Sequence, residues 1–136
     1  MVFLLTAGEE QGLAGAFRYT QERIEDASAA SFVLNLDIPW AAEGTYFVSS
    51  TRPDLRALAL DAAAREGLPA VDGGAPSPAS DQLPFELLGV PTAWNTRWPD
   101  RHYHTTEDTV AHLDFDEAAA AARVNRAVLA EVAGIR

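Results

Sequence analysis

The chain contains no cysteine. Disulfides and thiolate metal sites are thereby excluded, so a metal would have to be held by histidine and carboxylate side chains. Histidine is itself scarce. His102, His104 and His112 fall within eleven residues of one another, and no histidine lies upstream of them. Basic residues are outnumbered, 10 against 20 acidic ones, for a formal net charge of −10. Charge of that sign argues against nucleic acid and anionic membranes as partners, and suits solubility or the binding of a cation. No apolar run approaches the roughly 18 residues that a membrane-crossing helix needs. The opening MVFLLTAGEE is too short for a signal peptide and lacks a basic leading region. None of these absences assigns a compartment.

Hydrophobic residues make up 48% of the 136, enough for one domain with a proper core. Residues 2–6 (VFLLT), 31–37 (SFVLNLD), 45–50 (TYFVSS) and 90–96 (VPTAWNT) read as strands, short and nearly continuously apolar, as strands covered on both faces are. Between Gly12 and Ile24, Leu13, Phe17, Thr20 and Ile24 fall at helical spacing. Pro53 opens a second helix with a stripe of Leu55, Leu58, Ala59 and Ala62, stopped at Gly67. A last helix starts at Asp114, with Glu117 three residues on in a capping-box arrangement, and ends near Gly134. Residues 71–81 (VDGGAPSPASD) and 97–109 read as loops. Strands alternating with helices predict an α/β domain whose largely parallel sheet lies between helices.

In such sheets, ligands bind beyond the carboxyl ends of the strands. Glu9 and Glu10 follow the first strand, Asp37 ends the second, and His104 lies in the loop after residues 90–96. Two carboxylate sites and an imidazole on one rim suit Zn²⁺ or a similar divalent ion. Neighbouring glutamates at a strand-to-helix turn diverge, so one can hold a metal while the other takes a proton from water. The residues alone do not choose which does which. Each also has a plainer explanation. Acids at a helix start are favoured by its dipole; Asp37 could serve as a turn residue; Asp81 could cap the short helix QLPFELL; and His104 could bond to backbone. His102 and His112 read as surface residues, and Trp94, Trp98 and Phe85 as core or as an apolar pocket lining.

Four stretches in register, FLLTAGEEQGLAGA, VLNLDIPW, SDQLPF…GVPTAWNT and YHTTEDT, resemble the co-catalytic zinc aminopeptidases of metallopeptidase family twenty-eight, whose fold is shared with glutaminyl cyclases and glutamate carboxypeptidases. The resemblance covers almost the whole chain. It implies a three-layer α/β/α sandwich around a mixed, mostly parallel sheet. It implies that Glu9 is the general base, that Glu10 and His104 bind one zinc, and that Asp37 binds the other. Asp108 would order the loop bearing His104, while Asp81, Gln82, Phe85 and Tyr103 would lie behind the ligands or on the substrate side. The substrate implied is a peptide with a free amino terminus, cleaved at its first peptide bond.

Two departures from the family pattern stand out. Gln82 replaces a His or Tyr, which implies an altered pocket lining. The family's His-x-Asp segment, which supplies a further histidine ligand and the zinc-bridging aspartate, precedes Glu-Glu, whereas this sequence begins eight residues before Glu9. The chain is therefore expected to be the carboxyl-terminal portion of a catalytic domain that lacks its amino-terminal strands. Two zincs would serve the complete domain, and one or none this chain alone, with weak activity or none. An exposed sheet edge would invite self-association. Two other functions remain open: a non-catalytic interaction domain on the same fold, and a glutaminyl cyclase-like acyltransferase.

Overall fold

The computed structural model describes residues 1–41 and 43–135. Its centre is a four-stranded sheet of β1 (Val33–Asp37), β2 (Thr45–Ser50), β3 (Ala70–Gly74) and β4 (Thr92–Trp98), in the order β1-β4-β2-β3. The β1–β4 and β2–β3 pairs are parallel and β2–β4 is antiparallel, so the sheet is mixed. Alternation along the strands divides its faces. Tyr46 and Val48 of β2 are fully buried against α3 (Pro53–Arg65) and α5 (Phe115–Val132), together with Leu55, Ala59, Ala63, Val124 and Val128. The alanines let the two helices lie close to each other and to the sheet. Removing a valine such as Val124 from water stabilises this layer by about 2 kcal/mol.

The opposite layer is smaller. It comprises α1 (Ala14–Glu22), α2 (Ile24–Ser28) and α4 (Leu83–Glu86), joined by a cluster of Ala27, Phe85 and Val90 that packs on Tyr19 and Val33. Phe85 is core, its ring centroid 6.0 Å from that of Tyr19. The result is the α/β/α sandwich expected from the resemblance.

Several elements differ from the sequence reading. Residues 2–6 form no strand: Val2, Phe3 and Leu5 are 76%, 83% and 97% exposed. Apolar composition favours burial, but burial also requires a facing surface, and the described residues offer none. The helix read across 12–24 breaks at Arg23 (φ −126°), dividing it into α1 and α2. β3 lies partly in what reads as loop, because AVDGG pairs with β2 through backbone and carries little apolar signal. Gly73 is needed there, since a Cβ would stand 2.2 Å from Ser49 Oγ. β4 runs two residues later than read. Asp114 does cap α5, accepting from the amides of Asp116 and Glu117 at 3.0 Å. The box is only half formed, because the Glu117 carboxylate pairs with buried Arg97 instead.

Candidate metal centre

The turn holding the twin acids is built by glycine. Gly8 adopts φ +71° and Gly12 φ +80°, so Glu9–Gln11 forms a single 3₁₀ turn between two left-handed residues. Gly15 then lets α1 close on the incoming chain: its amide donates to Ala7 O at 2.9 Å, where a Cβ would come within 2.4 Å of that oxygen. The Gly- and Ala-rich stretch after the acids is there for this close approach.

Glu10 and His104, 94 positions apart, meet: Glu10 Oε1 lies 2.5 Å from His104 Nε2. Tyr103 donates its hydroxyl to the same oxygen at 3.2 Å and stacks on His104 at 3.7 Å between ring centroids. Burial, then the charges of Glu10, Glu9 and Asp37, push the Tyr103 phenol up to about 12, so it stays a donor at neutral pH. His104 itself has φ +60°, a left-handed backbone that non-glycine residues seldom adopt. Ile38, directly after Asp37, has φ +42°. Backbone of this kind gathers at functional sites.

Asp37 ends β1 and accepts a hydrogen bond from Ser80 Oγ at 2.9 Å. Glu9 feels the charges of both groups. Its carboxyl is raised above the usual carboxylate value, first by burial and then by repulsion from Asp37, Glu10 and Asp81, with His104 pulling the other way. A raised carboxyl among negative groups and an imidazole is the environment of a proton acceptor. Asp81 does not cap α4; its Oδ2 accepts from Thr6 Oγ1 at 2.5 Å, and its Oδ1 is buried without a partner among the described residues. Gln82 does not line a pocket. It is fully buried, bonded to Asn35 and to the Ser77 carbonyl.

Asp108 makes no side-chain hydrogen bond among the described residues. Thr105 orders this turn instead, donating to His102 O at 2.7 Å and accepting from the Glu107 amide at 3.2 Å. His102 and His112 are half-buried and stacked at 3.7 Å rather than free on the surface. Ser80, Asn35 and Thr105 were missed in the sequence. Of these, Asn35 could have been sought by parity, since it stands two residues before Asp37 on the same side of β1.

Beside this rim, Phe47, Ser49, Trp94, Thr96 and Trp98 line an open cleft of about 270 Å³ on the sheet face away from α3 and α5. Thr96 is the register partner of Asp37. The rings of Trp98 and Tyr103 pack edge to face with 5.1 Å between centroids, so the cleft adjoins both halves of the cluster.

In kind, the donors fit zinc: a carboxylate oxygen and an imidazole nitrogen converge on one side, a further carboxylate stands on the other, and no thiol competes. In number they are short, because among the described residues no three of His, Cys, Asp or Glu form a group able to hold an ion.

A mixed-sheet α/β sandwich with carboxylates and an imidazole at one rim is the usual setting of a ligand site in α/β proteins. The model of peptidase family M28 matches residues 1–129, and the chain belongs to that family. Among solved structures it is similar to a zinc aminopeptidase, BSAP, from Bacillus subtilis (TM-score 0.74, 21% identity, 93% of this chain and 34% of that one). It is also similar to LapB from Legionella pneumophila (TM-score 0.79, 18% identity, 96% and 38%). A third similar structure is an aminopeptidase from an Aneurinibacillus strain (TM-score 0.68, 26% identity, 92% and 32%). The chain thus spans well under half the length of these structures. A search of curated proteins gave no match.

Proposed function

We propose that this chain supplies the general base and three metal ligands of a zinc-dependent aminopeptidase that removes the first residue of a peptide. The observation carrying this reading is the meeting of Glu10 and His104 beside Glu9 and Asp37, four residues drawn from three separate stretches. Glu10 and His104 would hold one zinc and Asp37 a second. Zinc, when bound, supplies Lewis acidity toward the scissile carbonyl and lowers the pKa of an attacking water. Glu9 takes the proton of that water and returns it to the leaving amine. Tyr103, protonated, steadies Glu10 through its hydrogen bond. The cleft of Phe47, Trp94 and Trp98 receives the side chain of the substrate's first residue and favours an apolar one.

Zinc content and turnover of leucine and arginine anilides test the reading, on the chain and on the chain joined to an upstream His-x-Asp segment. The joined form should bind two zincs and cleave the leucine anilide faster. In it, Glu9→Gln should keep the metal and lower turnover by at least a hundredfold, as loss of a general base does. Equal loss of metal and turnover would mean the two glutamates hold each other's roles. A joined form that binds no zinc would favour an interaction domain.

A further inference from the structure

Asp37 is the end of a chain of hydrogen bonds that starts at a backbone carbonyl. The Ser77 carbonyl can only accept, so the Gln82 group facing it at 2.7 Å is the NH₂. Gln82 Oε1 is thereby turned away, and accepts from Asn35 Nδ2 at 3.0 Å. The same nitrogen gives its second hydrogen to Ser80 Oγ at 2.8 Å. With a Ser80 lone pair so engaged, its hydroxyl proton goes to Asp37 Oδ2 at 2.9 Å. Each assignment forces the next. Gln82 and Ser80 are 0% and 1% exposed, so water cannot substitute for a missing member, and a buried amide left without a partner is costly.

We propose that this relay fixes the orientation of Asp37, holding Oδ2 on Ser80 and leaving Oδ1 as the oxygen offered to a cation. Asn35 and Gln82 are then positioning residues that act on Asp37 through Ser80. Oδ1 takes no hydrogen bond from any described residue, which is what a ligand atom requires. Groups that support metal ligands in this way change metal affinity when removed. The assignment rests on the reading of Asp37 as a zinc ligand. The Glu10–His104 pair shares none of the relay's members, so the two sides can be perturbed separately.

The test is a double-mutant cycle on the chain joined to an upstream His-x-Asp segment, titrated calorimetrically with zinc chloride: Gln82→Met, Asp37→Asn and both together, with Glu10→Gln as the independent arm. Gln82→Met should weaken zinc binding on the order of tenfold and add nothing on top of Asp37→Asn, yet add fully to Glu10→Gln. Additive losses with Asp37→Asn would overturn the proposal. A readout without metal accompanies it. The Asn35 side-chain amide protons should exchange slowly in the unmodified chain and faster in Gln82→Met, and the Asp37 carboxyl carbon shift should move in both Gln82→Met and Ser80→Ala. If Gln82→Met fails to fold, Ser80→Ala takes its place in the cycle. An unmoved Asp37 shift overturns the relay. If Asp37→Asn leaves zinc binding unchanged while that shift moves in the relay variants, the relay stands and the ligand reading of Asp37 fails.

Discussion

Glu9 feels burial first, then Asp37, Glu10 and Asp81, all raising its carboxyl, while His104 lowers it. Two substitutions should therefore move it in opposite directions. Asp37→Asn removes a repelling charge and brings the Glu9 midpoint down toward the ordinary value. His104→Ala removes a favourable neighbour and sends it higher. A carbon-detected titration of the two variants reads both signs, and shifts in the same direction would contradict this arrangement. The linkage follows: with its folded value above its unfolded one, Glu9 contributes most to stability at low pH, and the contribution fades as pH rises through the folded value. Asp37 and His104 were legible from their places after strands, and Glu9 and Glu10 from the family resemblance, since residues 2–6 form no strand. Ser80 was not, because its hydrogen bond to Asn35, 45 positions away, leaves no local pattern.

At the scale of elements, α5 is fastened at two points. Asp114 caps its first turn, and Asn125 reaches into the sheet, donating to Tyr46 OH at 3.1 Å and accepting from Asn95 Nδ2 at 2.5 Å. Asp114→Ala should cost about 1 kcal/mol, the ordinary worth of an N-cap. Asn125→Ala should cost about 3 kcal/mol, because it removes two buried hydrogen bonds, one given to the Tyr46 hydroxyl and one taken from the Asn95 amide. Urea unfolding of the two variants gives the comparison; equal losses would mean the Asn125 network stabilises less than this geometry requires. The cap was readable as Asp-x-x-Glu, a local signature. The destination of Glu117 was not, since Arg97 reaches it only once β4 and α5 are packed.

For the molecule as a whole, Tyr46 is the sensitive point. Burial pushes its phenol up to about 12, with hydrogen bonds from Asn125 and Asn95 and the charge of Arg97 only partly offsetting it. Unfolded, the group ionises near 10. Between those values the native chain keeps a proton that the unfolded chain releases. Stability is therefore full below about pH 10 and falls as pH rises toward 12, by about 1.4 kcal/mol per unit. Tyr46→Phe should flatten that decline, measured as melting temperature against pH. By itself, the sequence determined that any metal donors must be carboxylates and imidazoles, and the places of β1, β2, α3 and α5, since these depend on residue type and short spacing. Only the tertiary structure decided that residues 2–6 lie uncovered, that AVDGG pairs as a strand, that Gln82 is buried support, and that Glu10 meets His104. Those outcomes depend on what a segment faces, and a facing surface is made by parts of the chain far away along it.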